Sequence, residues 1–491
     1  MKKLFRIFLL LLLLVAALLI YLVVNTFRHP SKQIGVQPAQ DVSVDDGALA
    51  SHLAQAIRFQ TVSTSDPAQV KTEEFLNLHR FIEETYPNVH TKLTRELVAD
   101  YSLLYTWKGS DQSLKPMLLA GHQDVVPIEP GTESRWTHPP FDGQIADGYV
   151  WGRGSLDDKC TMIGVLEAVE MLLREGYQPR RTIYLAFGHD EELGGPHGAP
   201  AIAELLRTRG VELESVLDEG GAITEGFIKG LSKPAALVGT GEKGFMSVQL
   251  SVETEGGHSS APPPQTAVGI VSAAVARLEG NQMPARIDGA TQAMLDYLGP
   301  EMNFPQRIAL ANLRLFRPLV LRQFASMPAT NSSIRTTTAA TVIEGGVKEN
   351  VLPSKARAVI NFRILPGDTV AGVLEHVRLI VNDSRVKIEL LPGSVVSEPS
   401  SVSSIDSVGY KAIERTIRQL FPSAVVAPFL VVGATDSRQY SGVSTNIYRF
   451  TPIWLHPEDF DRIHGTNERI ATENFAQCVK FFRQLIKNYD S

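Results

Sequence analysis

The chain of 491 residues carries 47 Lys and Arg against 53 Asp and Glu, a formal net charge of −6, with 44% hydrophobic and 20% charged residues. With 38 Gly, 29 Pro and 2 Cys it has a globular composition, which excludes a disordered chain, a collagen-like repeat and a disulfide-stapled mini-protein. The mild acidity offers no broad basic surface, so no nucleic acid partner is expected, and the length implies two or three domains with proper cores.

The first element is an uncharged apolar run from Ile7 to Val24, 18 residues long, which predicts a membrane-spanning helix within an N-terminal anchor, residues 1–29. Lys2, Lys3 and Arg6 precede it, which puts the N-terminus in the cytoplasm and the remainder on the extracytoplasmic side, although Arg28 and Lys32 weaken the asymmetry. No small-x-small site follows Val24, so an uncleaved signal anchor is favoured over a cleaved signal peptide that would release a secreted chain. Residues 30–45 are polar, hold two prolines and read as a linker.

From residue 46 to 238, short apolar runs (117–121, 182–188 and 214–218) alternate with helical patterns (160–175 and 201–208). This alternation predicts the first part of an α/β catalytic domain, a mainly parallel sheet with helices on both faces. Near Gly239 the pattern changes to strands, a helix over 265–278, two more strands and a helix over 369–381. These form a smaller α+β lid domain over 239–398. Within it residues 280–335 show no clear period and read as an insertion. Mixed patterns resume afterwards, so residues 399–491 complete the catalytic domain.

Four acid or histidine clusters follow apolar strands, where open α/β sheets bind their ligands. AGHQDVVP brings His122 and Asp124, two residues apart and so on one side of an extended strand, where the acid can take the spare ring N–H of the histidine. WGRGSLDDK brings Asp157 and Asp158, GHDEELGG brings Asp190, Glu191 and Glu192, and LDEGG brings Asp218 and Glu219. Any one Asp at a strand end is ordinarily a cap or a turn former, and Arg153 between glycines is ordinarily a turn. It is the joint occurrence that points to a site. The seven carboxylates of the last three clusters, if they converge, would repel one another unless cations lay between them. A His/Asp/Glu set without cysteine suits zinc or another first-row divalent metal, and Cys160 and Cys478, 318 residues apart, match no metal spacing.

The stretch from Gly121 to Lys159, followed by GHDEELGG and LDEGG, resembles the dizinc aminoacylase and carboxypeptidase family, specifically its branch of carboxypeptidase S and the secreted N-fatty-acyl-amino-acid synthase/hydrolases. The resemblance runs from about residue 46 onward and is loose over 280–335. It implies two Zn2+ per chain, with Co2+ or Mn2+ as substitutes. Asp157 would bridge both metals, His122 and Asp218 would complete one site, and Glu192 and His464 the other. The letters alone do not separate His464 from His456; the resemblance selects the former. It also implies Glu191 as general base, Asp124 as the residue orienting His122, and His258 as the lid histidine facing the tetrahedral oxyanion. Arg363 would hold a substrate carboxylate, with Asn350 and Gly433 on the substrate side and Thr435 and Arg438 beside them. A homodimer through the lid domain is the implied assembly, with the insertion as the feature able to block it.

The function implied is hydrolysis of the amide bond of N-acyl amino acids, or of C-terminal peptide bonds, by a metal-activated water that gives its proton to Glu191. A dipeptidase or aminopeptidase on the same dimetal centre is the alternative enzyme, but it should grip a free amine with an acid rather than a carboxylate with Arg363. A non-catalytic binding protein is the third reading. It would be expected to have lost a ligand or the base, and none is missing.

Overall fold

The computed structural model of the protein describes residues 1–64 and 66–490. The apolar runs become the centre of a ten-stranded sheet. Met117–His122 lies between Ile183–Gly188 and Ser215–Asp218, parallel to both, and Ile447–Arg449 adds to Ser215–Asp218 in parallel. All six residues of Met117–His122 are buried, as an unbroken apolar run in a parallel sheet should be. The flanks are antiparallel. Thr94–Val98 and Ser102–Trp107 form a hairpin on one side, turned through the left-handed residues Ala99 and Asp100. On the other, Ala235–Glu242 runs antiparallel to its neighbours and pairs in parallel with Val425–Val431. The sheet is therefore mixed, with its parallel part under the site.

Alternate residues of each strand feed opposite cores, the period of two expected of a strand. Leu103, Tyr105, Met117 and Leu119 pack with helices Asp46–Arg58, Lys159–Arg174 and Thr472–Tyr489, while Leu104, Leu118 and Ala120 pack with Gly198–Thr208 on the other face. The first of these helices starts where the Asp45 side chain accepts the Ala48 N–H.

A second sheet of four antiparallel strands has the order Thr337–Gly345, Lys355–Ile364, Gly244–Glu253, Lys387–Leu390. Helices Ala267–Gly280 and Val370–Val381, each capped by a threonine, cover it with a core of their own that includes Val248, Leu250, Phe362, Val373 and Val377. The two sheets are continuous through one residue: Lys243 separates Ala235–Glu242 from Gly244–Glu253 and donates to the Ser332 and Arg335 carbonyls, each at 2.9 Å.

The insertion consists of four helices, Gly289–Leu298, Phe304–Ala311, Leu313–Ala325 and Pro328–Ile334. Their shortness, and Pro318 inside one of them, hide the helical period in the sequence. Although read as part of the small module, the insertion packs on the large sheet: Met294, Tyr297 and Leu298 lie against Ala235, Val425 and Ala427. The apolar segment forms the helix Lys2–Phe27, in which only Leu22 and Thr26 are buried. At about 1.5 Å per residue its length is ample for a hydrocarbon core of about 30 Å. The segment after it has no regular structure but lies on the protein, with the Gln33 side chain donating to Val426 O at 2.9 Å and accepting from Val426 N at 2.8 Å.

Candidate metal centre

Asp157 stands at the middle of the site. Its Oδ1 is 3.0 Å from His122 Nε2 and its Oδ2 is 3.0 Å from His464 Nε2, while Glu192 Oε1 is 3.2 Å from the same His464 nitrogen. Two sets of candidate ligands share Asp157: His122, Asp157 and Glu219 on one side, and Asp157, Glu192 and His464 on the other, with the ligand atoms in each set within 4.8 Å of one another. These spans suit ions bound at about 2.0–2.2 Å by imidazole and carboxylate. Asp218 Oδ2 and Asp158 Oδ1 are buried without a hydrogen-bond partner, so oxygens are left over that a cation would satisfy. Neither candidate set includes a cysteine, and both cysteines are buried. Imidazole and carboxylate donors without thiolate fit zinc or a neighbouring divalent metal.

Several of the candidate residues follow strands of the large sheet. His122 ends Met117–His122 and Asp218 ends Ser215–Asp218, while Glu191 and Glu192 form one short 3-10 turn after Ile183–Gly188. The turn is held by Asp124, whose Oδ1 accepts the Glu191 N–H at 3.2 Å and whose Oδ2 accepts the Glu192 N–H at 3.1 Å and the Ser63 hydroxyl. His122 Nδ1 meets the backbone carbonyl of Asp124 at 2.9 Å and its carboxylate only at 3.4 Å. Asp124 thus meets His122 through both its main chain and its side chain, and its carboxylate also holds the two glutamates, which the spacing alone did not reveal.

Burial and mutual repulsion set the charge states. Burial pushes the Asp218 carboxyl up to about 6. Burial likewise lifts Asp158, Glu191, Glu219 and Asp436 well above the ordinary carboxylate range, with neighbouring acids adding to it. Burial acts on Asp157 in the same sense, but hydrogen bonds from His122 and His464 outweigh it and hold the group ionised. The Asp157 and Glu192 carboxylates raise His464 to about 10.

Several residues fall elsewhere than the sequence suggested. Glu219 is the acid grouped with His122 and Asp157, and Asp218 is adjacent with a buried, orphaned Oδ2, so the two neighbouring acids are both candidates for that set. Asp190 caps helix Gly198–Thr208, accepting the His197 and Gly198 N–H groups at 2.8 and 2.9 Å, and so leaves the cluster. His456 caps the helical turn Pro457–Phe460 and is separated from His464 by that role. His258 and Asn350 lie together on the small module, where the Ser259 N–H donates to Asn350 O at 3.2 Å, and both are exposed. No hydrogen bond or ion pair among the described residues joins them to the ligand sets. Arg363 sits on Lys355–Ile364, stacked over the Phe245 ring at 4.7 Å, with no acid in ion-pair contact among the described residues. Gly433 is exposed after Val425–Val431, with open space where a Cβ would stand. Thr435 donates its N–H and hydroxyl to Glu242, and Arg438 donates to Gly194 O at 3.0 Å in the turn that carries the two glutamates.

Two acids were missed. Asp436 is buried against Gly188 and Gly195, where any Cβ would collide with its carboxylate. It follows an apolar strand, as the other clusters do, and the same rule would have found it. Glu468 gave no such signal.

Residues 118–488 match the model of peptidase family M20/M25/M40. The chain is 44% identical to "Probable carboxypeptidase S-like 2" of Dictyostelium discoideum over 96% of its own length and 92% of that protein's. It is also 44% identical to "N-fatty-acyl-amino acid synthase/hydrolase PM20D1" of Xenopus tropicalis, over 90% of its length and 86% of the relative's. Among solved structures, the M20 family metallo-carboxypeptidase Sso-CP2 from Sulfolobus solfataricus superposes with a TM-score of 0.64 at 18% identity, covering 91% of this chain and 100% of that one, a likeness of fold.

Proposed function

The chain belongs to peptidase family M20/M25/M40 and is a hydrolase, and from that premise we propose that it is a membrane-anchored dimetal amidohydrolase. Its substrates are N-acyl amino acids or peptides cleaved at the C-terminal bond. The observation that carries this reading is the Asp157 carboxylate, with one oxygen toward His122 and the other toward His464, each at 3.0 Å. One group is thereby in position to serve two cations.

His122, Asp157 and Asp218 would hold one metal, with Glu219 close by, and Asp157, Glu192 and His464 the other. Zinc is the expected metal, with cobalt or manganese able to share the ligands. When bound, such a pair lowers the pKa of water and polarises an amide carbonyl. Glu191 is left out of both ligand sets and sits beside them on the turn that Asp124 pins. Burial keeps its carboxyl proton affinity high, which suits a group that takes a proton from water and returns it to the leaving amine. Arg363, with no acid of its own, is free to take the substrate carboxylate in a bidentate grip. That favours a carboxylate-terminated substrate over the free amine an aminopeptidase recognises. Gly433 and Asn350 would border the same substrate, and His258 would reach the oxyanion once the small module closes over the large sheet. The name of the Xenopus tropicalis relative, together with the apolar helix Lys2–Phe27, makes a long acyl chain the expected acyl group. That helix would hold the catalytic part at the extracytoplasmic face.

The test is metal content and hydrolysis of a panel of N-acyl amino acids and peptides by the full chain in detergent, for wild type and Glu191→Gln. The expected result is two metals per chain in both, with a loss of about 100- to 10,000-fold in kcat for the variant. A folded chain that stays inert after zinc is restored overturns the enzyme reading. Turnover of short acyl groups with none of long ones overturns the acyl preference.

A further inference from the structure

The apolar helix ends on a surface of unusual composition. Between Met302 and Ile334 the chain has four arginines, Arg307, Arg314, Arg317 and Arg322, and neither lysine nor acid, although the chain as a whole carries a net charge of −6. The helices of this stretch grip the end of Lys2–Phe27. Asn25 Nδ2 donates to Ala311 O at 2.9 Å and Asn312 Oδ1 at 3.0 Å, and Asn312 Nδ2 donates back to Leu22 O at 3.1 Å. Asn312 is buried in this junction. The Phe27 ring stands 6.4 Å from Phe304, with the Arg307 guanidinium 5.8 Å from its centroid.

From that junction Leu313–Ala325 leads away, and its outer face mixes exposed leucines with arginines. Leu315 is 53% exposed and Leu319, one turn later, 61%. Arg322 follows Leu319 on that side, and Arg314 precedes Leu315. Neither arginine has a hydrogen bond or ion pair among the described residues, whereas Arg317 donates to Ile287 O at 2.9 Å. Exposed leucines beside unpaired arginines, on a helix tied to the end of an apolar helix, match a surface lying in the boundary between headgroups and acyl chains. The arginines can then meet lipid phosphates, and contact of this kind strengthens with anionic lipid.

We propose that the face formed by Leu315 and Leu319 with the flanking Arg314 and Arg322 is a second membrane contact. It lies flat on an anionic phospholipid surface beside the point where Lys2–Phe27 emerges. This inference rests on the reading of Lys2–Phe27 as membrane-spanning. It goes beyond that reading in fixing the catalytic part against the bilayer rather than on a free tether, so that a substrate dissolved in the lipid approaches from a constant side.

The test uses the full chain in lipid nanodiscs, with an environment-sensitive fluorophore on one introduced cysteine at a time. The native Cys160 and Cys478 are buried, so labelling is selective. Leu319→Cys probes the face, Leu12→Cys the spanning helix, and Leu379→Cys, at a position 69% exposed on the small module, reports water. In discs of phosphatidylcholine with phosphatidylglycerol, nitroxide-bearing lipid should quench the labels at positions 12 and 319 and spare the one at 379. Arg314→Glu with Arg322→Glu should cut quenching at position 319 several-fold and leave position 12 unchanged. Quenching at 12 with a label at 319 as wet as that at 379 overturns the second contact and leaves the spanning reading intact. An unquenched label at 12 overturns both. Quenching at 319 that ignores lipid charge and the arginine reversals overturns the anionic surface as the occupant.

Discussion

Arg153 and Glu468, 315 residues apart, form a buried ion pair with Nη1 2.5 Å from Oε2, and that pair fastens the two loops that face each other across the candidate metals. The other arginine arm donates to the His464 and Gly465 carbonyls at 3.0 and 3.1 Å. Glu468 Oε1 accepts the Gly154, Leu156 and Asp157 N–H groups at 3.0, 2.8 and 3.3 Å. Asp157 and His464 are therefore set by one shared clamp. Its arginine stood in the sequence as a plausible turn residue, and its glutamate drew no notice.

Glu468→Gln keeps the shape of the side chain and removes its charge, leaving Arg153 buried and unpaired. Breaking such a pair costs on the order of 3–5 kcal/mol of stability, and loosening the support of a ligand typically lowers metal affinity about 10- to 100-fold. The expected outcome is a lower Tm and one weakly held metal, read by thermal denaturation and by calorimetric titration of zinc into stripped protein. Unchanged affinity for both metals would show that the clamp serves the fold alone.

The first site offers two adjacent acids. Asp218 has a buried oxygen with no partner, while Glu219 is the one within 4.8 Å of His122 and Asp157. With Asp218 as the ligand, Asp218→Asn retains about one metal per chain by elemental analysis, with activity lost, whereas Glu219→Gln retains both. The reverse pattern assigns the metal to Glu219.

His464 at about 10 in the metal-free protein is protonated at neutral pH, against an ordinary value of 6.5. Its raised value makes the Asp157 and Glu192 contacts stabilising below about 6.5, and that contribution is lost as the pH rises through about 10. A metal needs the neutral ring, so loading must expel the proton. Zinc titrations at pH 7 in buffers of different ionisation enthalpy should show net proton release, and apparent affinity should rise with pH. The stripped protein should lose thermal stability between pH 7 and 10 relative to His464→Gln. Absence of proton release would mean that His464 is not a ligand.

The legible parts of the site were those carried by local pattern. Met117–His122 and Ile183–Gly188 are unbroken apolar runs with their chemistry in the next few letters, so strand and ligand announce each other. Asp436 obeyed the same rule and was passed over. Glu468 could not be found this way, because its role depends on a partner 315 residues away and on main-chain N–H groups that leave no mark in sequence. The insertion was illegible for a different reason. Helices of 7 to 13 residues, one with an internal proline, are too short for the period of 3.6 to emerge, and their packing on Val425–Val431 is set by tertiary contact.

Arg363 offers the most direct test of substrate class. Its guanidinium is stacked on Phe245 and half-buried, and burial lowers its proton affinity without discharging it. Neutralising an N-acyl amino acid as its amide, or changing Arg363→Ala, should each raise KM, and the two together should cost little more than either alone. A charge-assisted bidentate contact is worth about 1.5–3 kcal/mol, or roughly 10- to 150-fold in kcat/KM. Arg363→Lys should recover only part of it, since an ammonium cannot reproduce the planar fork. Should the amide substrate suffer from Arg363→Ala as much as the acid does, the arginine acts on the fold of Lys355–Ile364, and carboxylate recognition belongs to another group.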